Sequence, residues 1–175
     1  MGIVESTYAE LKQQELKNNP YSCLHMADID INPHQIEAFT FALSSLELGG
    51  AILADEVGLG KTIEAGLVIK YLLCSGKNKI LLIMPSNLRK QWQVELEEKF
   101  DIDSLIVDSS NWEDYLEEVK SKQAVIIVSY HFASKRKTEF GKIAWDFCVF
   151  DEASFFSIDS KARSFFHTEI RRTIR

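Results

Sequence analysis

The chain is poor in cysteine and short of positive charge, and both shortages narrow its chemistry. Only Cys23, Cys74 and Cys148 occur in 175 residues. They are far apart, odd in number and without C-x-x-C or Cys/His ligand spacing, so neither a disulfide framework nor a zinc site is legible. They read as reduced thiols; Cys74 and Cys148 sit in apolar runs, where cysteine behaves as a small hydrophobe. Acidic residues outnumber Lys and Arg by 26 to 20, a formal net charge of −6. That excludes a generally basic nucleic-acid coat, because phosphate binding rests on Lys and Arg, but leaves room for a local strip. No apolar run approaches the ~20 residues that span a bilayer. The first residues carry no apolar segment flanked by basic ones, so no signal peptide is read there. Internal repeats, low-complexity tracts and long linkers are absent too. The expectation is a soluble, cytoplasmic protein.

What is present is an ordinary globular balance in a length that suits one domain able to bury a real core. Glu5 to Asn18 are rich in helix formers and stop before Pro20, so residues 1–30 read as a helical appendage. Residues 31–175 read as one α/β domain. Pro33 begins a helix whose apolar face is expected to carry Ile36, Phe39, Phe41, Leu43 and Leu46, and Gly49-Gly50 ends it. Short apolar runs then alternate with helical stretches. Strands are expected at Ala51–Ala54, Lys79–Met84, Leu105–Val107, Ala124–Val128 and Phe147–Phe150. Helices are expected at Lys61–Leu73, from an Asn87 cap to Phe100, at Trp112–Lys120 and over Ser157–Ile174. This alternation predicts a mostly parallel sheet flanked by helices.

The sharpest motif is Asp55-Glu56-Val57-Gly58-Leu59-Gly60-Lys61-Thr62, which follows an apolar strand and opens a helix. That is the setting of a P-loop. Backbone N–H groups at a helix N-terminus make a concave anion site, and glycines let the chain approach phosphate oxygens. Lys61 has the reach for the β- and γ-phosphates of ATP, and the Thr62 hydroxyl suits Mg²⁺. The strict pattern has glycine where this chain has Asp55. Asp151-Glu152 closes the Phe147–Phe150 strand, at the end of an α/β sheet where ligands collect. With a P-loop on the same sheet, Asp151 is the expected Mg²⁺ partner and Glu152 the expected catalytic base.

These motifs together resemble the Swi/Snf branch of the superfamily 2 helicase-like ATPases. The stretch from Ala54 to Gly66 looks like motif I of that branch, with Val57 and Ile63-Glu64-Ala65-Gly66 most like the bacterial members associated with RNA polymerase. Ile31-Asn32-Pro33-His34-Gln35 resembles the motif whose glutamine contacts adenine, a role that falls on Gln35. Leu82 to Leu88 with Gln91-Trp92 and Glu95 resembles motif Ia, which touches the DNA backbone, so Ser86 and Asn87 become candidate contacts. Ile127-Val128-Ser129-Tyr130 resembles the next strand-end motif, also near nucleic acid. Val149 to Ser154 resembles motif II. For Trp92 taken alone, a core role is the expectation; Ser86 and Ser129 also suit capping of the helices that follow them.

The resemblance implies a RecA-like lobe that binds ATP and Mg²⁺, works on duplex DNA and closes against a second RecA-like lobe. Its pattern continues past Arg175, with a strand inserted beside motif II and then the second lobe with its arginine fingers. The expectation is therefore a partial lobe that binds ATP but hydrolyses it poorly alone. Ser154 stands where motif II usually has histidine. A non-catalytic nucleotide-binding or interaction module remains a second reading; a small P-loop kinase would need a lid and an acceptor site that are not found. Lys135-Arg136-Lys137 and Arg171, Arg172 and Arg175 are the local basic groups, suited either to DNA or to a solvated surface.

Overall fold

A computed structural model of the chain describes residues 19–20, 22, 31–46, 49–51, 60–121 and 124–152. The expected helices at 5–18 and 157–174, most of the 51–54 strand, Asp55 to Leu59, Ser154 and the arginines near the end lie outside the described residues. The chain forms two compact units. One is Met1–Lys77 with Glu98–Asp101; the other is Asn78–Glu97 with Ile102–Arg175.

The first unit contains α1 (Pro33–Leu46) and α2 (Lys61–Cys74). Helix α1 starts at the expected proline, but its buried stripe is Gln35, Phe39, Ala42 and Ser45. These positions recur at three- and four-residue steps and fall on one side of a helix. Of the expected apolar face, only Phe39 is fully buried, while Ile36 and Phe41 are exposed. They fall to either side of the stripe. The end of α1 is closed by two bonds, Gly49 N–H to Leu46 O and Gly50 N–H to Ser45 O. Helix α2 buries Leu67, Val68, Ile69 and Leu72. Tyr71 meets Phe39 edge-on at 6.0 Å, a favoured aromatic geometry. The Lys70 ammonium donates to Phe100 O at 2.6 Å. A Cβ at Gly66 would stand 2.4 Å from the Phe100 ring, so the close packing requires glycine.

The second unit is built on four parallel strands in the order β2-β3-β1-β4. They are β1 (Lys79–Met84), β2 (Leu105–Ile106), β3 (Ala124–Ser129) and β4 (Phe147–Phe150). Their continuous apolar runs are what a parallel sheet covered on both faces requires. Ile80 through Met84, on an inner strand, are fully buried. Register pairs Leu82 with Ile127 on one side and with Val149 on the other. The Asp146 carboxylate accepts from Asn78 N–H at 2.8 Å and Lys79 N–H at 2.9 Å, while Asp146 N–H donates to Lys79 O. These bonds fasten the start of β1 to the start of β4.

Helix α3 (Arg89–Phe100) follows β1, and α4 (Trp112–Ser121) precedes β3. Helix α3 starts two residues after the expected Asn87 cap. A turn intervenes, with Leu88 N–H bonded to Pro85 O and Trp92 N–H to Leu88 O. Two short helices, α5 (Tyr130–Lys135) and α6 (Lys137–Phe140), lead on to β4 and were not legible as periodic stretches. Their Phe132 and Phe140 join Trp112 and Trp145 in the core. Trp112 lies 5.6 Å from Phe132 and 5.1 Å from Phe140. Arg136 spans the outside of this cluster, its guanidinium 5.9 Å from the Trp112 ring and 3.0 Å from the Glu139 carboxylate. The middle of the local basic group is thus engaged within the fold, while Lys135 and Lys137 are exposed. No described helix is long and apolar enough to cross a membrane.

Candidate nucleotide and nucleic-acid site

Gln35 is set by the start of its own helix. Asn32 O accepts from Gln35 N–H at 3.0 Å and Ile36 N–H at 3.3 Å, and the Gln35 Oε1 accepts in return from Asn32 N–H at 3.0 Å. A side chain at the third helical position that reaches back to the cap residue is half of a capping box. Gln35 is 5 % exposed. Its Nε2 lies 2.9 Å from where a Cβ on Gly60 would stand. The expected adenine-contacting residue and the last loop glycine are therefore neighbours.

Gly60 has φ 93° and ψ 34° and immediately precedes α2. That left-handed conformation is one glycine adopts without steric cost. Its carbonyl receives Ile63 N–H at 2.7 Å and Glu64 N–H at 3.1 Å. Having no side chain, Gly60 cannot cap the first turn, and helix N-termini of this kind receive anions. Lys61 and Thr62 open the helix and are half-buried. Glu64, one turn on, is fully buried.

In the second unit, parallel strands bring their carboxyl ends to one edge. Met84 and Ser129 are register partners there, as are Ile83 and Phe150. Ser86 and Asn87 follow β1 with exposed side chains, and no cap from either to α3 is formed. Ser129 does cap its helix: its hydroxyl accepts from Phe132 N–H at 3.2 Å. Tyr130 is half-buried, and its hydroxyl donates to Asp151 O. Burial first, and then the nearby Asp151 and Glu152 charges, push the Tyr130 phenol well above its ordinary range. It stays a neutral donor at physiological pH.

Asp151 sits one residue past β4, with its N–H bonded to Ile83 O at 3.0 Å. Its Oδ1 accepts from Glu152 N–H at 2.9 Å and its Oδ2 from the Trp92 indole N–H at 2.7 Å. Trp92 is 4 % exposed. It is buried, as a core residue should be, yet it also binds the expected metal carboxylate. Only the general tendency of a buried indole to find an acceptor pointed that way. Glu152 is exposed and has φ 52°, a region costly for a side chain and concentrated at functional sites.

The residues suit a nucleotide-borne metal. No group of three or more His, Cys, Asp or Glu among the described residues could hold an ion by itself. Mg²⁺ is ordinarily held by one or two protein oxygens with phosphates and water completing the shell; of the two expected ligands, Thr62 offers a hydroxyl in the first unit and Asp151 a carboxylate in the second.

The family model of the SNF2-related domain matches residues 34–172. RNA polymerase-associated protein RapA of Yersinia enterocolitica serotype O:8 is 32% identical over 159 residues, covering 87% of this chain and 16% of that protein. RapA of Yersinia pestis strain Pestoides F is 31% identical with the same coverage. The chain thus spans about a sixth of the length of these relatives. Among solved structures, the Sulfolobus solfataricus SWI2/SNF2 ATPase core in complex with dsDNA superposes with a TM-score of 0.66 at 24% identity, covering 81% of this chain and 29% of the other. That likeness establishes the fold, a RecA-like α/β lobe.

Proposed function

The chain belongs to the SNF2-related domain family, and on that premise we propose that it is the ATP–Mg²⁺-binding lobe of a DNA-dependent translocase. The observation that carries this reading is the left-handed Gly60 opening α2 directly before Lys61 and Thr62. Lys61 holds the β- and γ-phosphates, and the Thr62 hydroxyl and the Asp151 carboxylate are the metal ligands. Glu152 orients and deprotonates the attacking water, and Gln35 contacts adenine. Asp55, Glu56, Val57, Gly58 and Leu59 complete the phosphate loop. When bound, Mg²⁺ neutralises the charge that develops on the transferred phosphoryl group.

Ser86, Asn87, Ser129 and Tyr130 stand at the carboxyl edge, the face proposed for duplex DNA. Ser86 and Asn87 offer exposed side chains; the hydroxyls of Ser129 and Tyr130 are engaged within the chain and shape the edge. Association with RNA polymerase is part of the name of the RapA relatives; for this chain the partner proposed is DNA. Movement on DNA requires a second RecA-like lobe, in the same parent chain or a partner. Ser154 in the usual histidine position of motif II favours a second reading, a nucleotide-binding module without motor activity.

Titration with ATP in the presence of Mg²⁺ tests the first step. Lys61→Ala removes a charge-assisted phosphate contact of about 1.5–3 kcal/mol, roughly ten- to a hundredfold in affinity. Equal affinity in folded wild type and variant would overturn the phosphate-loop assignment. Retained binding without DNA-stimulated hydrolysis in a two-lobe parent would favour the second reading.

A further inference from the structure

Two buried tryptophans in the second unit solve the same problem in different ways. The Trp145 indole donates to a main-chain acceptor, Phe140 O, at 3.0 Å. The Trp92 indole donates to a carboxylate oxygen of Asp151 at 2.7 Å. A main-chain carbonyl would satisfy a buried indole as well, so burial does not by itself require an acid there. Tyr130 adds a second donor, to the main-chain oxygen of the same residue. Asp151 is therefore held at its side chain from α3 and at its backbone from the first residue of α5. The carboxylate's other oxygen takes Glu152 N–H. A carboxylate oxygen has two lone pairs, so each retains acceptor capacity for a cation.

We propose that Trp92 and Tyr130 are positioning residues for the metal carboxylate Asp151, an inference that rests on the Mg²⁺ role given to Asp151 above. Trp92 locks the carboxylate's rotamer by a short, charge-assisted bond. Tyr130 pins the backbone where the chain turns into the left-handed Glu152. Partners of a metal ligand set its orientation, and their loss typically lowers metal affinity about tenfold or more. Both side chains come from segments that follow inner strands of the sheet, which rigidly fixes where their donors lie.

The test uses the full chain and adenylyl imidodiphosphate, a non-hydrolysable ATP analogue, with affinity measured in Mg²⁺ and in EDTA. The ratio of the two affinities is the magnesium dependence. Asp151→Asn is expected to bring that ratio close to unity; if it does not, the metal role of Asp151 fails and the positioning role with it. Trp92→Phe and Tyr130→Phe are expected to lower the ratio about tenfold and severalfold, respectively, with little change in EDTA. A normal Asp151→Asn result beside wild-type ratios in both Phe variants overturns the positioning inference while leaving the metal role standing. Indole ¹H–¹⁵N resonances give a readout independent of whether Trp92→Phe folds. The Trp92 signal is expected to move in Asp151→Asn and on addition of Mg²⁺ with the analogue, while those of Trp112 and Trp145 stay. A Trp92 signal indifferent to Asp151→Asn also overturns the inference.

Discussion

The amide nitrogen of Gln35 lies so near Gly60 that a methyl group on the glycine would stand 2.9 Å from it. The contact joins the start of α1 to the start of α2, two points of one unit 25 positions apart in sequence. It also ties the residue expected at adenine to the loop expected at phosphate. Gly60→Ala meets two obstacles: the left-handed backbone, worth about 1–2 kcal/mol against a side chain, and the Gln35 amide. The amide is the end of a flexible side chain and can move, so the backbone cost dominates. A stability loss of about 1–2 kcal/mol is expected by denaturant titration, together with weakened nucleotide binding. Unchanged nucleotide affinity in Gly60→Ala would count against a phosphate-binding role for this turn.

Gly66→Ala sets helix propensity against packing. Alanine is better in a helix by about 1 kcal/mol. The added methyl would stand 2.4 Å from Cε2 of Phe100, and overpacking of this kind costs about 1–3 kcal/mol. Packing should win, and Gly66→Ala should melt below wild type. Combining it with Phe100→Leu should recover part of the loss relative to the sum of the two single variants, which a double-mutant cycle measures. A stabilised Gly66→Ala would show that the ring yields freely.

Phe39 and Phe41 separate core from surface on one helix. Phe39 is fully buried and Phe41 is 53% exposed. Phe39→Ala is expected to cost about 3–5 kcal/mol. Phe41→Ser should remain within about 0.5 kcal/mol of wild type, as surface changes usually do. Comparable losses at both positions, by chemical denaturation, would place Phe41 against apolar surface.

Asp108 supplies a pH signature. The Ser110 hydroxyl, and then the Ser110 N–H, hold its carboxyl below the usual range, with Arg89 at 3.6 Å adding to the effect. A carboxyl depressed by folding contributes stability above its unfolded pKa of ~3.9. That contribution is lost as pH falls through the lower folded value. Wild type should therefore melt above Asp108→Asn near neutrality, with the gap closing as pH drops through and below 4. A gap independent of pH would assign the difference to packing. The side chain is 38% exposed, so the effect should be small and reduced by salt.

Much of this protein was legible in its residues because the physics is local or strongly patterned. Parallel strands read as unbroken apolar runs whether buried along nearly their whole length, as β1 and β3 are, or half-buried, as β4 is, so all three stand close to their expected bounds. Proline at Pro33 and glycine at Gly49 mark helix ends through backbone geometry alone. The family likewise lies in short motifs whose order and spacing survive without coordinates. Tertiary structure decided what depends on residues distant in the chain. It turned the stripe of α1 toward Gln35 and Phe39 and left Phe41 outside. It built α5 and α6, too short for a periodic signal, around an aromatic cluster, and it drew Arg136 onto Trp112. Above all it placed the Trp92 indole, 59 positions earlier, against Asp151. A donor's need for a partner is written in its chemistry, but which partner it finds depends on how parallel strands gather their ends at one edge of the sheet.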